Sequence, residues 1–155
     1  CQTGPHSDAE FGIRDTAGSV AFVDQAKQNE NDYWIVTVKN PNQLAVTFTA
    51  VDGCIFHSSH TSQRCDVMLT TAKCLHLVEL KNRKHPTVAF KDGKAQLIAT
   101  IEALKASCDV SQFKVRMAHV CNKRKPDYRS HESHRDFVNS YGFVLKTETI
   151  IHITE

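Results

Sequence analysis

The chain lacks the features that would place it in a specialised class. Its 155 residues include no apolar stretch close to the roughly 20 residues that a membrane-spanning helix needs. It also contains no internal repeat, no low-complexity tract and no clear linker. With 41% hydrophobic and 23% charged residues, the composition is that of an ordinary globular protein. We therefore expect one domain over 1–155 and no membrane partner.

A strong charge of either sign is also missing. The 19 Lys and Arg residues against 17 Asp and Glu residues give a net charge of +2. Dedicated nucleic-acid binders usually show a basic patch or stripe, so this balance permits contact with nucleic acid without requiring it. Two basic runs, 81–85 and 123–125, are either phosphate contacts or solvated loops.

No CxxC pair occurs, although the chain has six cysteines. Three of them fall in apolar predicted strands, where a free cysteine behaves as a small buried hydrophobe. The spacing shows no tight disulfide framework and predicts a reducing, cytoplasmic compartment. The six are Cys1, Cys54, Cys65, Cys74, Cys108 and Cys121.

The order of predicted elements is typical of an α+β or α/β domain in which helices flank one mixed central sheet. Residues 1–6 begin without methionine and are expected to be disordered or artificial, and 7–27 to be at least partly helical. A strand at 34–38 is expected to turn at Asn40-Pro41-Asn42 and return at 44–51. Further strands are predicted in a hairpin at 64–81, at 113–120 and at 143–153.

Two helices are predicted in the second half of the chain. Apolar residues at helical spacing indicate a helix that Asp92 or Gly93 caps and that ends near Ser107. A second, shorter helix is expected to begin at Ser133 and to end near Gly142, where glycine suits a left-handed backbone.

Two carboxylates and an amine share one face of the predicted 64–81 hairpin. Glu79 and Lys81 lie on one face because side chains alternate along a strand. With the turn centred at 72–73, residues whose numbers sum to 145 stand opposite each other. Asp66 then faces Glu79, with Cβ atoms roughly 4.5–5.5 Å apart. Such a patch is either a metal-assisted hydrolytic centre or a set of cross-strand charge pairs contributing roughly 0.2–1 kcal/mol each.

This pattern resembles the PD-(D/E)XK nuclease superfamily, whose motif is an Asp on one strand and a (Glu/Asp)-x-Lys triplet on its neighbour. Here the Asp is Asp66 and the triplet is Glu79-Leu80-Lys81. The chain is also similar to small bacterial proteins with an Arg/Lys-Cys-Asp strand, a Glu-Leu-Lys strand and a Gln-Leu helix. The resemblance covers about 51–120 and implies a restriction-endonuclease-like core there.

The chain departs from that pattern at two positions. Cys65 stands where the superfamily has proline before the Asp. In the RecB-like branch a Gln on the motif helix is followed four residues later by Tyr, whereas here Gln96 is followed by Thr100.

The resemblance implies a Mg²⁺- or Mn²⁺-dependent nuclease that acts on DNA more readily than on RNA. A hard cation takes oxygen ligands and keeps several waters, so one or two carboxylates and a substrate phosphate suffice. Lys81 would orient the attacking water or offset negative charge, and Gln96 would be a positioning residue. The implied metal ligands are Asp66, Glu79, the Leu80 carbonyl and Asp52.

Other functions remain open. The same fold can serve as an inactive binding module, such as an immunity or defence-system accessory protein. A homodimer or a partner protein is compatible with either function, because superfamily members that cut both strands often act as dimers. An acid of the N-terminal helix, such as Glu10, is expected to approach the centre.

The sequence patterns for zinc binding and for cysteine catalysis are weaker. The spacing His57-x-x-His60-x4-Cys65, with Cys54 nearby and His131 and His134 later, contains the ligand types of a zinc site. Cys65 and Cys74 are possible nucleophiles, although no motif places a base beside either of them.

Overall fold

The computed structural model describes residues 1–16, 20–25, 34–52, 54–55, 64–126, 128–129 and 134–155. Within these ranges the chain forms a mixed α+β domain with two mixed sheets and two α-helices. The predicted class is therefore confirmed, but the expectation of a single sheet is wrong.

Ten strands are present in the described part of the chain. In chain order they are β1 (Gln2–His6), β2 (Glu10–Arg14), β3 (Phe22–Asp24), β4 (Val36–Lys39), β5 (Val46–Ala50), β6 (Val67–Thr70), β7 (Cys74–Lys81), β8 (Val115–Asn122), β9 (Val144–Lys146) and β10 (Ile150–His152). The helices are α1 (Pro86–Ser107) and α2 (His134–Tyr141), and a 3₁₀ turn covers Val110–Gln112.

The larger sheet has the order β1-β5-β6-β7-β8-β9, and the smaller sheet has the order β10-β4-β2-β3. One hydrophobic core contains side chains of both sheets, including Phe11 and Val38 from the smaller sheet and Phe48 and Leu69 from the larger one. The smaller sheet therefore covers one face of the larger sheet.

The helices cover the opposite face of the larger sheet. A second core joins Leu97 and Ile101 of α1 and Phe137 of α2 to Leu77 of β7 and Leu145 of β9. α1 connects β7 to β8, which run parallel, as a crossover helix does. Neither helix is long and apolar enough to cross a membrane.

The predicted register of the β6–β7 hairpin is confirmed. Val67 stands opposite Val78, and each of the remaining pairs in this ladder also sums to 145. Continuing the ladder by one residue places Asp66 opposite Glu79. The Thr71 hydroxyl fixes the turn, because it accepts hydrogen bonds from the backbone N–H of residues 73 and 74.

In the described parts of 7–27 the structure has strands where the sequence led us to expect a helix. β2 and β3 form a hairpin within residues 7–27, where Phe11 and Ile13 alternate in the strand and are wholly buried. Gly12 between them lies under the Trp34 indole, where a Cβ would stand 2.0 Å from ring atoms. Residues 2–6 are also ordered by the fold, because β1 pairs with β5.

Two predicted strand assignments differ from the structure. The strand pair predicted at 34–38 and 44–51 is not a hairpin, because β4 belongs to the smaller sheet and β5 to the larger. The buried Asn40 amide holds the crossing chain by bonding the backbone of Asp8 and Leu44. The predicted final strand is divided between β9 and β10, which lie in different sheets.

The helix ends were predicted better than the helix starts. α1 begins at Pro86, six residues before Asp92, because proline suits the first turn of a helix. Its predicted end at Ser107 is confirmed. Gly142 follows α2 with φ of 74°, the predicted left-handed conformation, whereas Ser133 lies outside the described residues.

The cysteines are not all free. Cys1 and Cys54 form a disulfide, which contradicts the expectation of six reduced thiols. Cys65, Cys74 and Cys121 are buried thiols, as expected for cysteines in apolar strands. Disulfides persist mainly in oxidising compartments, and the expected cytoplasmic location is not confirmed.

Candidate active site

The site is built where the β6–β7 hairpin meets α1. Asp66 precedes β6, and Glu79 and Lys81 belong to β7, on the face that α1 covers. Gln96 reaches this group from the third turn of α1. Lys81 contacts both Glu79 and Gln96, whereas Asp66 contacts the backbone N–H of Leu80 between Glu79 and Lys81.

The Lys81 amine joins strand and helix. Its Nζ lies 2.5 Å from Glu79 Oε1 and 2.5 Å from Gln96 Oε1, and its side chain is 10% exposed. The Gln96 Nε2 donates to the Arg64 carbonyl at 3.2 Å, which fixes the amide with its oxygen towards Lys81. The positive charge is thus held in place from both sides.

Glu79 is buried with only one of its carboxylate oxygens engaged. Its residue exposure is 1%, and within the described part of the chain Oε2 has no hydrogen-bond partner. Desolvation raises the pKa of Glu79 well above its ordinary value, and the nearby Asp66 adds to the rise while Lys81 opposes it. A buried polar atom without a partner is a costly arrangement for folding alone.

Asp66 is held by the next strand. Its Oδ2 accepts a hydrogen bond from the Leu80 N–H at 2.6 Å. Burial raises the pKa of Asp66 to about 6, although the Leu80 N–H and Lys81 lower it. The contact engages the amide of Leu80, so the role proposed for the Leu80 carbonyl remains a prediction.

Two further acids outside the Asp66–Glu79 pair affect its pKa values. Asp52, predicted as an additional ligand, is exposed and raises the pKa values of Asp66 and Glu79 through space. Asp15 also raises the pKa of Asp66, and the sequence pattern did not indicate it. Glu10, the acid expected near the centre, lies instead in β2 and forms an ion pair with Lys39.

Two α1 residues that the sequence did not single out as functional shape the site. Gly93 was predicted as a cap, but it is buried inside the helix, where a Cβ would lie 2.7 Å from Val120 Cγ1 and 3.2 Å from Glu79 Cγ. The Thr100 hydroxyl accepts from the Cys65 N–H at 2.9 Å and donates to the Gln96 carbonyl. Helical spacing already places Gln96 and Thr100 on one face, which was the available signal.

The residues present fit a hard cation better than a soft one. Among the described residues, no group of three or more His, Cys, Asp or Glu side chains has the spacing of a metal site. Asp52 therefore does not complete a three-ligand cluster with Asp66 and Glu79. Mg²⁺ needs only one or two carboxylates and keeps several waters, so the pair with its unpartnered Glu79 Oε2 is compatible with it.

The structure does not favour zinc or cysteine chemistry. Cys54 is in the disulfide and cannot supply a thiolate, while His57, His60 and His131 lie outside the described residues. Burial raises the pKa of the Cys65 thiol, which weakens it as a ligand and as a nucleophile. The Cys74 thiol is buried and donates to the Thr154 carbonyl.

No protein-family model matches the chain, and neither a curated protein nor a solved structure is found to match it.

Proposed function

We propose that this chain is a divalent-metal-dependent nuclease that hydrolyses phosphodiester bonds of DNA, or of RNA less readily. The observation that carries the proposal is the buried Asp66–Glu79 pair beside Lys81, with Glu79 Oε2 left without a described partner. One lysine amine can balance only one carboxylate. A pair built for stability alone would need neither the second acid nor the open oxygen.

The order of elements around the pair supports a restriction-endonuclease-like core at 51–120. An antiparallel β6–β7 hairpin leads into α1, which returns the chain to the parallel strand β8. Asp66 directly precedes β6, and the Glu79-Leu80-Lys81 triplet ends the neighbouring strand β7, an order similar to that of the superfamily motif. Cleavage of both strands of a duplex would add a second copy of the chain or a partner protein.

In this mechanism, Asp66 and Glu79 would hold Mg²⁺ or Mn²⁺. When bound, the cation activates a water and stabilises negative charge on the phosphate. Lys81 places its ammonium beside the reacting phosphate, where charge develops as the water oxygen bonds to phosphorus and the phosphorus–oxygen bond of the leaving group breaks. Gln96 is a positioning residue, because its amide oxygen holds the Lys81 amine and its nitrogen is fixed by Arg64.

The second candidate is a nuclease-like binding module without catalysis. It is favoured by the direct 2.5 Å contact of Lys81 with Glu79, which already balances one carboxylate, and by the absence of a three-ligand cluster among the described residues. In this case the buried charged group belongs to the fold alone, and the chain binds a partner protein in an immunity or defence system.

A cleavage assay separates the two candidates. Wild-type protein is incubated with labelled single-stranded DNA, duplex DNA and RNA in Mg²⁺, in Mn²⁺ and in EDTA. We expect metal-dependent cleavage that Asp66→Asn, Glu79→Gln and Lys81→Met each reduce by at least about 100-fold, as loss of several kcal/mol of transition-state stabilisation would give. Glu102→Gln removes an exposed carboxylate elsewhere on α1 and is the matched control. If wild-type protein cleaves none of the substrates in either metal, the binding module is the better account.

A further inference from the structure

A second charged feature lies next to the candidate site, at the carboxyl ends of β7 and β8. These parallel strands end at the same edge of the sheet, and each leads into a basic loop. We call this surface the basic edge and define it by Arg83, Lys84, Lys123, Arg124 and Lys125. All five residues are exposed.

Neutral hydrogen bonds tie the two loops into one surface. The buried Asn122 side chain donates to the Arg83 carbonyl at 2.9 Å and accepts from the Arg83 N–H at 3.0 Å. The Lys123 N–H donates to the Lys81 carbonyl at 2.8 Å, and the Arg124 Nε donates to Asn82 Oδ1 at 2.9 Å. The fold therefore holds the two basic loops side by side.

The described side-chain contacts of Arg83 and Arg124 differ in kind. Arg83 pairs with Asp92 at 2.8 Å. By contrast, Arg124 bonds a neutral amide, and Lys84 and Lys125 project from their loops as exposed side chains. Two loops thus place positive charge at one edge of a chain whose net charge is only +2. Concentrated positive charge of this kind raises the local concentration of polyanions.

A cleft runs into the basic edge beside the start of α1. It has a volume of about 360 Å³ and is lined by Pro86, Arg124, Lys125, Pro126 and Tyr128. The Tyr128 ring packs on Phe90 at 5.8 Å between ring centres, so one wall of the cleft is fixed by the core. Cationic, proline and aromatic groups together suit a sugar-phosphate chain better than a flat lipid surface.

We propose that the basic edge binds the phosphodiester backbone of nucleic acid and directs it to the Asp66–Glu79 centre. The choice of nucleic acid as the ligand rests on the proposed function. Strand β7 contains Lys81 of the centre and leads directly into the loop that contains Lys84. Three residues of extended chain span about 10 Å, so the two surfaces can contact one strand. The cations offset the repulsion that the acidic centre exerts on phosphates before a metal binds.

Binding is measured apart from cleavage, by fluorescence anisotropy of labelled single-stranded and duplex DNA in EDTA. The test variant is Lys84→Gln/Lys125→Gln. We expect at least about tenfold weaker binding at 50 mM salt, and a slope of log Kd against log salt smaller by about 2, because each phosphate contact contributes about 0.9. The matched control is Lys105→Gln/Lys114→Gln, which removes the same charge from exposed residues at the other end of α1, about 30 Å away.

The outcomes separate this inference from the proposed function. Weaker binding by the test variant with unchanged binding by the control supports the basic edge, even if wild-type protein cleaves nothing. Equal binding by both variants, or an equal loss in both, overturns it. Binding to vesicles containing phosphatidylserine, with no binding to DNA, assigns the surface to lipid and also overturns it. Cleavage with unchanged binding keeps the proposed function and rejects the basic edge.

Discussion

At the scale of single residues, Asp66 is held where its ionisation is unfavourable. Its pKa is raised to about 6 by burial, so the folded protein binds a proton more tightly than the unfolded chain does. The free energy of unfolding should therefore decrease as pH rises from about 4 to about 6 and stay low above that range. A carboxylate kept under such conditions is typical of a functional site.

Asp66→Asn should consequently stabilise the metal-free protein. The amide oxygen can still accept from the Leu80 N–H, while the cost of ionisation disappears. We expect the free energy of unfolding to rise by about 1–3 kcal/mol at pH 8 and to change little at pH 4. Urea denaturation in EDTA measures this, with Glu102→Gln as the control. A large loss of stability at pH 8 would show that Asp66 is there to stabilise the fold.

Gly93 is the residue that allows α1 to approach the strands. In an exposed helix, Gly93→Ala would stabilise by roughly 0.5–1 kcal/mol. Here the new methyl group would stand 2.7 Å from Val120 Cγ1, so we expect a net loss of about 1–2 kcal/mol from overpacking. Thermal denaturation measures it, and the exposed Lys91→Ala should change little. A more stable Gly93→Ala protein would contradict the close packing.

At the scale of elements, the β6–β7 hairpin was predictable because its information is local. The alternation of side chains along a strand determined which residues share a face of the sheet. The turn at 72–73 determined the register that sets Asp66 opposite Glu79. The partners of β4 and β5 were not predictable in this way, since alternation does not tell which of two sheets a strand joins. The segment around Phe11, which forms strand β2, was also wrongly taken for a helix.

The start of α1 and the role of Gly93 were missed for a different physical reason. A glycine and an acid within a polar stretch resemble a helix cap, and only the packing of Val120 and Glu79 shows why glycine is required inside the helix. The contact of Thr100 with the Cys65 amide also depends on tertiary packing. The sequence thus indicated Asp66, Glu79, Lys81 and Gln96 as candidates, but not the packing roles of Gly93 and Thr100.

Strands β7 and β8 also carry a buried histidine pair on the face away from α1. His76 Nδ1 and His119 Nε2 lie 3.1 Å apart, and the other ring nitrogen of each has no partner in the described part of the chain. Desolvation lowers the pKa of His76 to about 4 and that of His119 well below its ordinary value. Both rings are therefore neutral in the folded protein near pH 7.

This pair should make the fold sensitive to acid. As pH falls from about 6.5 to about 4, the unfolded chain takes up protons that folded His76 does not, and stability decreases by about 3 kcal/mol from this residue. His76→Gln should remove that part of the pH dependence, whereas the exposed His152→Gln should not. Urea denaturation between pH 7 and pH 4.5 gives both slopes. Identical slopes for His76→Gln and wild type would exclude the pair as the cause.

At the scale of the whole molecule, the Cys1–Cys54 disulfide fastens the first strand to the segment that follows β5. It closes a loop between residues 53 positions apart, which restricts the unfolded chain. We expect Cys1→Ser/Cys54→Ser to lower the free energy of unfolding by about 2–4 kcal/mol. Cys108→Ser, at an exposed free thiol, is the control. Equal stability of wild type with and without dithiothreitol would contradict this contribution.

The charges of the molecule are also arranged on this larger scale. Asp15 and Asp52 add negative charge around the Asp66–Glu79 pair, while the basic edge lies beyond Lys81 at the ends of β7 and β8. An acidic centre attracts a cation, and the neighbouring positive surface attracts the phosphates that the cation would then contact. The two features would therefore act together in the proposed metal-dependent reaction.

The central claim is that Asp66 and Glu79 share one divalent cation. The most direct measurement is an anomalous difference map from a crystal soaked in Mn²⁺. We predict a single strong peak bonded to one oxygen of each carboxylate at about 2.0–2.2 Å, the range of hard cations of this size. The peak should be lost in Glu79→Gln and retained in Glu102→Gln. Ordered Asp66 and Glu79 side chains with no peak between them, at saturating Mn²⁺, would contradict the account.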